Sequence, residues 1–509
     1  MSFIVEQTIK NQIYVYKVTS YWDKEKKQSR QKRIILGKKD PITGKVIPSK
    51  SSTSLRTVLD YGNYYFLKTI SDEINLTDIL QKAFPEIWRE IIILAMYQVS
   101  EKKPLYLSEQ WTGYTKTIDD IKLTSQYVSD ILQTIGQSDK ECMNFFESWT
   151  KLRSEKEYLV FDITSISSYS KLNDLLEFGY NRDGESLPQI NLGMLFGQKS
   201  LLPVYYSTYP GSIKDVATLK NMVDYAKNFN MKKIQFVMDK GFYSKKNISY
   251  MLEKGLVFTV SMPFTVKLAK TLVDSVRSTI RSFNNSIMIN DDILYGQVVN
   301  IKKEYNKELN AIVYFNDKKF LQEKEVLLKK IIATEELLKE KKSFSKIKEG
   351  KYEYQKYLII KKKGKSISIS RNEKMIEETL KYKGYVVILS NQFNTVEEVI
   401  KLYRSKDCIE KSFDNLKNEL DQKRLRVHSE TSMQGRLFIS FIALILYSWI
   451  DKRMKEKKLY KLFTVDEVIN EFRTIRSVTL SNDKYLLTEI TKKQRELFKI
   501  FSITIPMFT

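Results

Sequence analysis

Histidine and cysteine are nearly missing from this chain, which has one histidine, His428, and two cysteines, Cys142 and Cys408, in 509 residues. That scarcity excludes a zinc finger, a Cys/His zinc site and a disulfide framework, and it suits a cytoplasmic protein. Long apolar runs are missing too. The most apolar stretch, "LFISFIALILYSWI" at 437–450, is too short to span a bilayer and reads as a buried core helix. The start, "MSFIVEQTIK", has no basic segment leading into an apolar one, so no signal peptide is expected. Acids fall short of bases: 61 Asp and Glu stand against 85 Lys and Arg, a formal net charge of +24. Such an excess favours a polyanionic partner, nucleic acid or an acidic membrane surface, without choosing between them.

What is present falls into regions of different pattern, enough for two or more domains. Residues 1–60 alternate as strands in "IYVYKVTSYW" and "KRIILG" and carry 13 Lys/Arg against 5 Asp/Glu, a net +8. Within them "GKKDPITGK" has the wrong spacing for a phosphate-binding loop, with Val46 where Ser or Thr is needed, and is read as a surface turn. Residues 61–150 look helical from the 3–4 spacing of "LTDILQKAF" and "EIIILAMYQV". From 151 to 265 the pattern becomes α/β. Strands "EYLVFDITS", "LPQINLGMLF" and "LLPVYYSTYP" precede the helix "DVATLKNMVDYAKNFN". The strand "KKIQFVMDKG", the helix "SKKNISYMLEKG" and the strand "LVFTVSMPF" follow. That order is the order of a ribonuclease H-like mixed sheet. Residues 266–385, with a long charged helix and the lysine-rich hairpin "YLIIKKKGKSISIS", are too many for a loop and read as an inserted α+β subdomain. "GYVVILSN" returns as a buried strand. The second part of the core then spans 386–455, and 456–509 is expected to be a helical flanking region.

The chemistry rests on carboxylates. Asp162 is expected at the end of the first core strand and Asp239 at the end of the fourth, and a sheet of this order can set those strands side by side. Two carboxylates brought together are unfavourable unless a cation lies between them. A third from a packed helix would complete an oxygen cage for Mg²⁺ or Mn²⁺, and two such ions suit phosphodiester cleavage. Taken singly, each acid also has an ordinary reading as a turn or cap residue, as Asp183 and Asp215 do. The third acid is sought in "YRSKDCIEKSFDNLK" at 403–417, on a helix that Thr395 and Glu398 are expected to open with a capping box. On a regular helix with Glu410 at zero, Tyr403 falls near roughly +20°, Lys406 near roughly −40° and Lys417 near roughly −20°. An apolar stripe of Leu402, Ile409, Phe413, Leu416 and Leu420 runs beside them. A solvated face laced with ion pairs explains the strip as well as a site does, and Asp414, near roughly +40°, competes with Glu410.

The sequence resembles the DDE transposases of bacterial insertion sequences, in the group whose signature is Tyr, two residues, Arg, three residues, Glu, six residues, Lys. Tyr403, Lys406, Glu410 and Lys417 meet that spacing, with lysine where arginine is usual. "FDITSIS", "YNRDGESLPQINLGMLF", "YPGSIKDVATL", "FVMDKGFYS" and "RLRVHSETSMQGRLFISFIALIL" are also similar to the group, in the same order. The likeness runs from about residue 60 to 455. The resemblance implies a catalytic and metal-ligating triad of Asp162, Asp239 and Glu410, holding two Mg²⁺ ions for which Mn²⁺ can substitute. It implies DNA phosphate contacts from Tyr403, Lys406 and Lys417, and it places the insertion between the second Asp and the Glu. Double-stranded DNA, as transposon ends and target, is the implied partner. A homodimer in the end complex, no membrane, and a place in the cytoplasm at the nucleoid are implied too. Lysine at 406 keeps the charge of arginine but not its bidentate geometry.

Relatives often stack a tryptophan of the insertion on a flipped base. Here Trp22, Trp88, Trp111, Trp149 and Trp449 all lie outside it, so stacking would fall to a Tyr or Phe. His428 is read as structural or as a phosphate contact, and residues 1–60 as a reader of terminal inverted repeats or a generic solvated basic surface. The expected activity is cut-and-paste transposition, with hydrolysis at insertion-sequence ends followed by strand transfer. A nuclease of the same fold that only hydrolyses, and a non-catalytic DNA-binding descendant, are the alternatives.

Overall fold

The β-branched and aromatic run after Tyr158 forms the strand β1 (Leu159–Ser168), buried along nearly its whole length. It lies at the centre of a computed structural model that describes residues 2–23, 27–48, 55–153, 158–170, 172–181, 183–213, 215–228, 235–339, 354–363, 366–392, 395–481 and 484–507. β2 (Gln189–Gly197) pairs antiparallel with β1, and β3 (Pro203–Pro210) pairs antiparallel with β2. β4 (Gln235–Met238) and β5 (Val257–Met262) extend the other side in parallel. The crossover helices α1 (Asp215–Asn228) and α2 (Lys245–Glu253) flank β4 in the chain, as the sequence pattern requires. Strands enclosed on both faces read as continuous apolar runs, which is why "LVFDI" and "FVM" lack alternation.

Part of the segment between Met262 and residues 386–455 extends this sheet. β6 (Ser286–Ile289), β7 (Asp292–Asn300), β8 (Asn310–Phe315) and β9 (Tyr385–Ser390) add antiparallel strands to it. β9 pairs with β5, giving the order β6-β7-β8-β9-β5-β4-β1-β2-β3. β10 (Arg424–Leu425) pairs with the end of β1. What stands apart is smaller. The helices α3 (Asp317–Lys339) and α4 (Glu373–Leu380) and the hairpin of Leu358–Lys363 with Ser366–Arg371 share a separate core of Leu327, Ile331, Leu338, Tyr357, Leu358 and Ile376. The expected helix tail at 340–342 and the tip of the lysine-rich hairpin lie outside the described residues.

After the break that carries Glu410, described below, the helix α7 (Glu430–Glu456) runs through the interior, and the apolar 437–450 stretch is its buried middle. It packs on Ser125–Gln137 and Trp88–Glu101. Gly435 and Gly136 permit that approach, since a Cβ at either would strike a carbonyl of the other helix.

The first 48 residues form their own antiparallel sheet of Ser2–Ile9, Gln12–Asp23, Gln28–Lys39 and Val46–Pro48. Leu55–Asp60 is separate from it and pairs with Arg476–Leu480 near the C-terminus. The C-terminal region, expected to be helical, therefore contains strands as well as the helices Val465–Arg473 and Lys492–Phe501.

Candidate active site

β1 and β4 fix the first two acids. The parallel register sets Leu159 opposite Phe236 and Val160 opposite Val237. Two residues further along both strands, the same register brings Asp162 level with Asp239. Neighbouring strands lie about 4.8 Å apart, so the two carboxylates share one edge of the sheet. Asp162 is not at the end of its strand. β1 continues on "ITSISS", paired with β2, and it is β4 that stops at Met238 beside Asp162. The pleat supplies the reason, because a strand keeps its conformation wherever one neighbour still satisfies its backbone. Asp162 Oδ1 accepts the N–H of Ile163 at 2.8 Å. Asp239 leads a short 3₁₀ turn, Lys240–Phe242.

The third acid arrives on a helix that is not regular. α5 (Val396–Arg404) begins at Thr395, whose hydroxyl accepts the Glu398 N–H at 3.4 Å. The Glu398 carboxylate takes the Thr395 hydroxyl at 2.5 Å, so half of the expected capping box forms. At Ser405 and Lys406 the bonds tighten to i−3, with Lys406 N–H to the Tyr403 carbonyl at 3.2 Å and Ile409 N–H to the Lys406 carbonyl at 3.0 Å. α6 (Asp407–Asp414) then carries Glu410, and a π-helical turn, Asn415–Glu419, carries Lys417. A strip drawn at constant twist cannot survive both departures.

Tyr403 and Lys406 reach the acids. The Tyr403 hydroxyl donates to Asp239 Oδ1 at 2.8 Å and also meets the Ser261 hydroxyl on β5. Burial and the Asp239 carboxylate push this phenol far above its ordinary pKa, so it stays a hydrogen-bond donor. Burial would raise the Asp239 carboxyl, but the Lys406 charge, the Lys240 N–H and the Tyr403 hydroxyl together hold it below the usual carboxylate range. Lys406 is the hub. Burial alone would lower its pKa, yet its hydrogen bond to Glu410 and the charges of Asp239, Glu410 and Asp162 raise it. One ammonium therefore feels all three expected acids, while Asp414 is exposed and does not act on it.

Lys417 goes elsewhere. It is buried and forms a 2.6 Å salt bridge to Asp183, in the loop between β1 and β2. Arg424 on β10 pairs with Glu185 of the same loop at 2.6 Å. Asp183, expected as a turn residue, is thus an ion-pair partner, and Glu185, Arg424 and Ser261 join the neighbourhood of the site with no local signal. Their partners lie far away in the chain, and local pattern carries no sign of them. The His428 carbonyl accepts the Ser170 hydroxyl at 2.8 Å, and His428 lines a groove with Lys417, Lys423 and Arg426.

Among the described residues, no three His, Cys, Asp or Glu side chains are placed to hold a metal ion. Asp162, Asp239 and Glu410 fit a hard divalent cation in the kind of donor, being oxygen ligands alone. The Lys406 ammonium is bonded to Glu410 and lies within electrostatic reach of Asp239 and Asp162, and the Glu410 side chain is 50% exposed.

The fold is a mixed α/β sheet, with Asp162 on one strand, Asp239 just past the end of its parallel neighbour and Glu410 on a nearby helix. The particular family follows from the sequence, since the Transposase DDE domain matches residues 153–446, more than half of the chain. The protein belongs to that family. No curated protein matches it. Among solved structures it is similar to a piggyBac transposase in a synaptic complex with hairpin DNA, determined by cryo-EM. That similarity has 10% identity and a TM-score of 0.38, over 81% of this chain and 78% of the other.

Proposed function

We propose that the protein is a cut-and-paste DNA transposase that hydrolyses phosphodiesters at the ends of an insertion sequence and joins the freed 3′-hydroxyls to target DNA. The observation that supports this best is the Lys406 ammonium, bonded to Glu410 and within electrostatic reach of Asp239 and Asp162, beside a sheet ordered like a ribonuclease H core. Asp162, Asp239 and Glu410 would hold Mg²⁺, with Mn²⁺ as a substitute. When bound, two such ions activate the attacking oxygen and stabilise the departing one. In hydrolysis a water oxygen bonds to phosphorus, the P–O3′ bond breaks, and the 3′-oxygen leaves as a hydroxyl. In strand transfer the oxygen of that 3′-hydroxyl bonds to a target phosphorus, the target P–O3′ bond breaks, and the departing 3′-oxygen takes up a proton to match the one the attacking hydroxyl loses.

Tyr403 orients the Asp239 carboxylate and keeps it ionised, which a ligand requires. Lys406 offsets the charge of the three acids and stands where a DNA phosphate approaches them. The basic sheet of residues 1–48 and the overall excess of +24 favour double-stranded DNA as partner, and two copies would hold the two ends.

Asp162→Asn, Asp239→Asn and Glu410→Gln should each reduce Mg²⁺-dependent cleavage of end DNA by a thousandfold or more on the order-of-magnitude scale of lost metal catalysis, with DNA binding retained. Near-full cleavage by any one of them would remove that residue from the triad. A strand-transfer assay with pre-cleaved ends separates a transposase from a nuclease that only hydrolyses.

A further inference from the structure

Beside Asp239 the surface opens into a cavity of about 940 Å³, walled by the ends of β5 and β9 and by α3 and α4. Lys240, next in the chain to Asp239, stands at its inner end, with Lys319 of α3 and Lys383 just before β9. None of these three ammoniums has a hydrogen-bond or ion-pair partner among the described residues. The acids on the wall compensate them only in part. The Glu323 carboxylate accepts the Gly384 N–H at 2.9 Å, and Glu378 pairs with none of the three. Burial, together with the charges of Lys240 and Lys383, holds the Lys319 ammonium below its ordinary pKa despite Glu323 and Asp239. Like charges converging on a concave, half-buried site are unfavourable by themselves and favour whatever anion enters.

The outer wall adds aromatic surface. The Tyr382 ring has Lys270 and Lys381 each 5.5 Å from its centroid and lies 5.8 Å from the ring of Phe264. Cations interleaved with rings are how proteins hold the backbone and bases of a single nucleic-acid strand. The volume is at the upper end for a small-ligand site and leaves room for a short stretch of one strand, not for a duplex.

We infer that Lys240, Lys319 and Lys383 form a phosphate subsite that holds a single DNA strand running from the candidate active site into the inserted helices. The subsite deepens the nucleic-acid reading above and rests on it. Lys319 and Lys383 are positioning residues, since they grip a phosphate beside the reacting one and touch no reacting atom. Their sequence stretches, "NDKKFLQ" and "YKGYVV", read as ordinary solvated lysines, because only the sheet brings them together.

The test uses the full chain without divalent metal and a labelled single-stranded decadeoxynucleotide, titrated at several salt concentrations and competed with inorganic pyrophosphate. Lys319→Met and Lys383→Gln should each weaken binding about tenfold, as expected for one lost charge-assisted contact. Each should also reduce the salt slope by about 0.7. Lys319→Arg should restore both. Lys318→Gln, on the same helix but 71% exposed and paired with Asp292, should leave both unchanged. Wild-type affinity and slope in Lys319→Met and Lys383→Gln would overturn the subsite. So would variants that lose pyrophosphate competition but bind the strand normally. The thermal midpoint of Lys319→Met should not fall, because the charge removed is one that burial and the neighbouring lysines disfavour on balance, and this separates a lost contact from a lost fold. Binding here needs no metal and no cleavage. Failure of the triad variants to lose cleavage would therefore strike the transposase reading and leave the subsite measurement standing.

Discussion

Lys406 is the residue on which the site turns. The resemblance leads one to expect arginine at this position, whose fork would bind a carboxylate or phosphate through two parallel bonds. A lysine is a point charge on a flexible stem, and here it sits with Glu410 while feeling Asp239 and Asp162. Lys406→Met should remove the positive charge that acts on all three carboxylates, lower the thermal midpoint by a few degrees at neutral pH, and make that midpoint rise when Mg²⁺ is added. A midpoint indifferent to both changes, followed by calorimetry, would show that the ammonium does not hold the acids together. Asp239 gives the matching pH dependence. Its folded pKa lies below the unfolded value of about 3.9, so its stabilisation is complete above that value and is lost as pH falls through the folded pKa. Asp239→Asn should therefore be less stable than wild type at neutral pH, with the gap closing only in strong acid. An equal gap at every pH in denaturant titrations would assign the stabilisation to packing instead.

At the scale of the element, the segment 396–419 shows how one sequence pattern became three kinds of turn. The apolar stripe is real, since Leu402, Ile409, Phe413, Leu416 and Leu420 are all buried. The polar strip beside it divides. Tyr403 and Lys406 face the acids, whereas the π-helical turn carries Lys417 to Asp183. The Lys417–Asp183 pair has side-chain exposures of 9% and 30%, and the Lys411–Asp407 pair 57% and 60%. Breaking the first by Lys417→Ala strands a half-buried carboxylate and should cost about 1–3 kcal/mol, while Lys411→Ala should cost under about 0.5 kcal/mol. Asp183→Ala in the Lys417→Ala background should recover part of the loss. Urea titrations of the four chains check this, and equal costs for the two lysines would mean that the pair is solvated in solution.

For the whole molecule, the sheet unites regions that the sequence separates. The strands of 266–385 extend the central sheet, and Leu55–Asp60 is held by the C-terminal strand Arg476–Leu480. A truncation meant to remove the N-terminal sheet should therefore stop at residue 48. Removing residues 1–48 should leave the thermal midpoint of the remainder within a few degrees. It should weaken discrimination between end DNA and random DNA more than it slows cleavage of a pre-nicked substrate. The motive is a separate sheet rich in Lys and Arg whose apolar side chains are largely exposed, Ile4 at 67% and Trp22 at 63% among them. Unchanged discrimination would place recognition elsewhere on the basic surface.

The amino-acid sequence by itself determined the core strands, because "LVFDI", "INLGMLF" and "YVVILS" are too apolar for any place but a covered sheet. It also determined the helix through 437–450 and, through resemblance, the family and the acids to examine. It could not determine where Asp162 sits in its strand, because that depends on where the neighbour β4 stops. It could not show that Lys417 leaves the strip, since the π-helical turn follows from packing Leu416 and Leu420 inward while Asp183 approaches from a loop more than two hundred residues earlier. Lys319 and Lys383 were equally silent, each an ordinary lysine until β8 and β9 paired and set them beside Lys240. Periodicity records which side chains leave water, and it acts over a few residues. Which charges then meet is decided by contacts between distant parts of the chain, and only the folded sheet makes those.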